Sequence, residues 1–123
     1  MHPSTVPRRG LEILDRVQAL APLIRSSSEE IEKTGRLTDE IVHALKDADV
    51  FGMAVPESMG GPEADPMTQL EVVEALSVAD GSVGWVAMIG SDGGYYAAHL
   101  DRETADSIYA DRNAVTASVL VPR

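Results

Sequence analysis

Ser91, Asp92, Tyr95 and His99 place a hydroxyl, a carboxylate, a phenol and an imidazole within one short stretch. A serine, a histidine and an acid can act together as a nucleophilic triad. Ser91 and His99 are eight residues apart, however, which is about 12 Å along a continuous helix. On a continuous helix that spacing excludes a direct hydrogen bond, and with it a hydrolase. The adjacent acids Glu29/Glu30 and Asp39/Glu40 fall on first helical turns. The positive end of the helix dipole explains them there without general acid–base chemistry. No two of the histidines His2, His43 and His99 stand at a metal-ligand spacing, and the chain has no cysteine. Disulfides, iron–sulfur clusters and thiolate zinc sites are therefore excluded. What remains is a helix face. Trp85, Met88, Ser91, Asp92 and Tyr95 follow one another at helical steps of three or four, so one side could line a pocket. Ser91 and Asp92 interrupt an otherwise apolar stretch, and buried polar groups need partners. For Trp85 core packing is the competing reading, since aromatic rings bury large apolar areas. Gly60-Gly61, just after Pro56-Glu57, either makes a plain turn or lets the backbone approach a ligand closely.

The elements that hold these residues read as helices. Leu11, Leu14, Val17, Leu20 and Ile24 predict an amphipathic helix over 11–33, with a kink or a local restart near Ala21 because Pro22 removes a backbone donor. Ser26–Ser28 followed by Glu29 could start a new segment, and Gly35 is placed to end it. Thr38 caps a helix over 38–48, and Asp65-Pro66 opens one over 66–79. Between them, 50–66 is a long ordered loop anchored by Val50, Phe51, Met53 and Val55. Ser82 caps a helix over 82–98 that is apolar nearly all round and so is expected to be the buried central one. Its glycines Gly84, Gly90, Gly93 and Gly94 imply close approach by a neighbouring helix or a ligand. Asp101 caps a last helix over 101–111, and 114–121 reads as a single strand. Leu14, Val17, Leu45, Leu70, Val73, Leu76, Val86 and Ile108 are the expected buried set.

The 123 residues make one domain, and 44% hydrophobic with 24% charged residues is the balance of a globular protein. Twenty acids against ten Lys and Arg give a net charge of −10, the opposite of a nucleic-acid footprint. Residues 38–80 carry ten acids and one base, Lys46, which reads as a solvated face or a docking surface for a basic partner. No apolar run approaches the roughly 20 residues of a membrane span, and MHPSTVPRRG is not a signal peptide. The chain is expected to be cytoplasmic, without nucleic-acid or membrane partners. Residues 1–10 read as a flexible N-terminus, 11–113 as the helical domain, and 114–123 as the start of a further domain, because a lone strand lacks a partner.

Two runs, GRLTDEIVHALKDADVFGMAVPESMGG and DPMTQLEVVEALSVADGSVGWVAMIG, resemble the N-terminal helical domain of the acyl-CoA dehydrogenase family of flavoproteins. The resemblance covers about 11–121, and its most specific parts are Val50–Gly61 and Glu74–Trp85. The ADGSVGW form also looks like the branch of flavin-dependent aromatic monooxygenases. The resemblance implies an all-α domain of about five helices with one terminal strand, followed in a complete member by a β-domain and a C-terminal helical domain. It implies FAD bound between those later domains, an acyl-CoA or similar substrate, a catalytic glutamate outside this chain, and a homo-oligomer. By resemblance, Trp85, Met88, Ser91 and Tyr95 would line the substrate pocket, and Gly60 and Gly61 would border its channel. No residue is expected to be catalytic, and the chain alone is expected to bind no flavin tightly. The alternatives are a monooxygenase N-terminal domain, or a non-catalytic helical binding or dimerisation module.

Overall fold

A computed structural model describes residues 8–111, 114–117 and 121. Seven α-helical segments run in order among them: α1 (Arg8–Ala19), α2 (Ala21–Thr34), α3 (Asp39–Asp47), α4 (Pro66–Ala79), α5 (Gly81–Asp92), α6 (Gly94–Ala97) and α7 (Arg102–Tyr109). The all-α expectation holds. The terminal strand is not seen: 114–117 form no strand, and 118–120 lie outside the described residues. Of residues 1–10, read from the sequence as a flexible N-terminus, 1–7 also lie outside them, and 8–10 are instead the first turn of α1.

Side-chain caps start most of the helices. Thr38 accepts from the Ile41 N–H, and Asp101 accepts from the Thr104 N–H at 3.0 Å. Asp65 accepts from both the N–H and the hydroxyl of Thr68, at 3.0 and 2.6 Å. Each satisfies donors that a first turn leaves unpaired. Gly35 ends α2 at φ 67°, the left-handed conformation that favours glycine.

One expected break is present, and three expectations about the helices need correction. The local restart expected near Ala21 is seen: 11–33 is two helices that break at Leu20, with Pro22 in the first turn of α2. Ser26, Ser27 and Ser28 start nothing: they stand inside α2, their hydroxyls donating to the Leu23 and Ile24 carbonyls. The cap before α5 is Asp80, which accepts from the Ser82 and Val83 N–H groups, so Ser82 is already in the first turn. The stretch 82–98 is also two segments, α5 and α6, joined at Gly93 alone.

The core is built from Ile13 and Val17 of α1, Ile24 and Ile31 of α2, Ile41 and Leu45 of α3, Val72 and Leu76 of α4, and Val83 and Ala87 of α5. The loop after α3 adds Val50, Phe51 and Met53. α4 packs most extensively against α5, and next against α1. Val17, Leu45 and Leu76 are buried as expected, and Leu14, Val73 and Val86 are half-buried. Leu70 and Ile108 are not buried; they are 65% and 44% exposed. Trp85, 64% exposed, is not a core residue either, and α5 is not a central helix. Both outward residues have the same cause. Thr68, Val72 and Leu76 share the buried side of α4, and Val83, Ala87 and Gly90 that of α5. Leu70 and Trp85 stand two positions from Val72 and Val83, about 200° round a helix.

The four glycines of the predicted helix 82–98 meet other parts of this chain. Gly84 lies against Ser77, Gly90 against Phe51 and Val115, and Gly94 against Ala54. At Gly93 a Cβ would come within 2.0 Å of Thr116 Oγ1. Segment 114–117 thus crosses the C-terminal end of α5, and the Thr116 N–H donates to the Gly90 carbonyl at 3.4 Å.

Candidate functional site

A cleft of about 290 Å³ opens between α4 and α5. Its walls follow from helix periodicity. Pro66, Gln69, Leu70 and Val73 stand at steps of three and four on α4, and Met88, Ser91 and Asp92 do the same on α5. Tyr95 from α6 and Met53 from the loop after α3 complete the lining. The cleft is mostly apolar. Met88 and Tyr95 are 40% and 45% exposed, so solvent and small molecules reach it.

Its polar groups are largely engaged. Ser91 is buried, and its hydroxyl donates to the Met88 carbonyl of its own helix at 3.2 Å. Gln69 Nε2 donates to the Ala64 carbonyl at 2.7 Å, which ties the cleft wall to the loop. An adjoining cleft of about 380 Å³ shares Pro66, Gln69 and Tyr95 with the first, and Glu63 and Asp65 lie on its wall. The two Thr68 hydrogen bonds hold the Asp65 carboxyl below its usual range, the side-chain bond contributing most. The charged residues bordering the two clefts, Asp92, Glu63 and Asp65, are all acidic.

Met88, Ser91 and Tyr95, three of the residues singled out from the sequence, come together on this cleft, with Asp92 beside them. Trp85, Gly60 and Gly61 do not line it. Trp85 stands one turn before Met88 on the exposed side of α5. Gly60 has φ 79° and ends a 3-10 turn at Glu57–Met59. Gly61 is packed so closely on Val55 that a Cβ would lie 2.2 Å from its carbonyl oxygen. The double glycine therefore serves the loop's own fold. Sequence reasoning missed Met53, Pro66, Gln69, Leu70 and Val73. The step pattern of α4 could have found four of them, had its polar-flanked side been read as a wall.

His99 is exposed and off the cleft, and Ser91 is bonded to its own helix, so no nucleophilic pair forms. His43 Nδ1 donates to the Asp39 carbonyl at 2.7 Å. Among the described residues no group of three His, Asp or Glu is placed to hold a metal ion, and no helix is long and apolar enough to cross a membrane.

Residues 12–102 match the family model described as acyl-CoA dehydrogenase, N-terminal domain. Among curated proteins, the chain is 29% identical over 105 residues to the oxygenase subunit HsaA, a flavin-dependent monooxygenase of Rhodococcus jostii. That match covers 85% of this chain and 28% of the relative. It is 36% identical over 85 residues to the indole-3-acetate monooxygenase of Acinetobacter baumannii, covering 69% of this chain and 22% of that protein. The crystal structure of the HsaA monooxygenase from M. tuberculosis superposes with a TM-score of 0.79 at 30% identity, over 85% of this chain and 28% of that one. The chain thus spans about a quarter of the length of the curated relatives it matches.

Proposed function

This chain belongs to the acyl-CoA dehydrogenase family, as its N-terminal domain, and from that membership we propose that it supplies one wall of the substrate site of a flavin-dependent monooxygenase acting on a small aromatic compound. The observation that carries this reading is the lining of the α4–α5 cleft. Methionine sulfur and tyrosine suit the faces and edges of an aromatic ring, and Met53, Met88 and Tyr95 surround the opening. The acids at its rim disfavour the phosphates of an acyl-CoA. The dehydrogenase reading, with an acyl thioester as substrate, is thereby the weaker of the two.

The same lining does not fit a flavin nucleotide. No lysine or arginine borders either cleft to take its phosphates. The two clefts of this chain therefore have no part in holding FAD. The chain's contribution is to bind and orient the ring, to keep water off one side of it, and to contact a second copy in a homo-oligomer.

Methionine-methyl NMR with two probes tests the reading. Phenol is expected to shift the Met53 and Met88 methyl signals, while butyryl-CoA leaves them unmoved. Saturable shifts with butyryl-CoA and none with phenol would overturn the aromatic-substrate assignment.

A further inference from the structure

The cleft is walled by two helical segments that meet at a single residue. Asp92 ends α5, Tyr95 belongs to α6, and Gly93 alone lies between the segments. At this joint the regular hydrogen-bond ladder gives way. The Gly93 carbonyl accepts from the Tyr96 N–H at 3.1 Å, a three-residue step in place of the four-residue step of an α-helix. It also accepts a short hydrogen bond from the hydroxyl of Tyr109, sixteen positions further along the chain.

We propose that Tyr109 is a positioning residue of the cleft, its hydroxyl holding the Gly93 carbonyl so that Asp92 and Tyr95 keep their places on the two sides of the joint. The proposal rests on the cleft being the ligand site. Three observations support it. Tyr109 is half-buried, and its hydroxyl spends that burial on a backbone carbonyl inside the protein rather than on water. A second segment also lies on the joint: Thr116 occupies the space where a Cβ of residue 93 would stand. α7 arrives in a defined direction because Asp101 caps it and Ala105 is buried. Tyr109 touches no part of the cleft itself and acts through Gly93.

The test uses the 123-residue chain and its Y109F variant, which lacks one oxygen. Amide NMR without ligand reads the joint, and phenol titration reads the cleft. In Y109F the Asp92, Gly94 and Tyr95 amides are expected to shift, and the Tyr96 amide to exchange faster with solvent. Phenol affinity is expected to fall about three- to tenfold, the range spanned by losing one net hydrogen bond. Helical circular dichroism should be unchanged. Unmoved amides and equal phenol affinity overturn the proposal. Amides that shift while phenol affinity stays equal overturn it too, because the bond then serves the fold alone. A wild-type chain that binds no phenol overturns the cleft assignment, and the role given to Tyr109 falls with it. The amide spectra are separate from that outcome, so the two failures are told apart. Crystals of the unchanged chain soaked in phenol need no variant. A ring bound beside Met88 with Tyr109 turned away from Gly93 overturns the proposal.

Discussion

At the scale of single residues, Asp65 links helix formation to the cleft. Its carboxylate accepts two hydrogen bonds from Thr68, and it precedes Pro66, the first lining residue of α4. Its pKa is lowered, so the sign is that of an acid favoured in its charged form by folding. The stabilisation is present above the unfolded carboxylate value near 4, and is lost as pH falls through the lower folded value. Asp101 is lowered in the same sense by Thr104. We expect D65N to melt below the wild type at pH 7, with the gap closing as pH is lowered toward 3 in a thermal melt series. A gap that stays constant with pH would remove the charge from the explanation. Such caps were legible in the sequence because a cap is a local event: Thr38, Asp65 and Asp101 each act on a residue three positions away. Tyr109 was not legible. Its partner lies sixteen residues distant, and no spacing rule connects a phenol to one carbonyl at that range.

At the scale of elements, helices were easier to find than their orientation. Every predicted helical stretch is helical, but periodicity does not fix which way α4 and α5 face: Leu76 is buried as expected, while Leu70 and Trp85 point to solvent. The apolar residues of both are spread round the helix, so periodicity marks no single inward side. The inward side is decided by packing on α1 and on the loop after α3, which leaves Leu70 and Trp85 in solvent. The cleft was half legible for the same reason. Met88, Ser91 and Tyr95 were found from spacing on one helix, while the α4 wall required knowing that α4 and α5 lie together. Two leucines of α4 test this orientation. Leu76 is fully buried and Leu70 is 65% exposed. L76A should cost about 2–5 kcal/mol in urea unfolding, and L70A within about 0.5 kcal/mol. Equal losses would mean that α4 is rotated from the arrangement described.

At the scale of the whole molecule, the outer surface of α4, α5 and α6 carries Met67, Trp85 and Tyr96 off the cleft, 48–64% exposed. Exposed large apolar side chains favour contact with another surface. The net charge of −10 opposes unspecific clumping but not a specific apolar contact. Sedimentation at micromolar concentration is expected to show species above 13.1 kDa that weaken in W85S. A monomer at all concentrations would assign the face to another part of the family's architecture. The cleft has a further property that comes from its joint at Asp80, the one residue between α4 and α5. Both walls belong to a single local stretch, so closing them against each other requires little loop entropy. Contacts between residues close in sequence form fast, and distant ones form late. By that measure the two main walls meet early, near Leu76 and Val83, the Tyr109–Gly93 bond follows them, and the packing of α1 on α4 spans the most chain. Mutations at Leu76 are expected to slow folding, whereas Y109F is expected chiefly to speed unfolding, as stopped-flow kinetics in urea would separate.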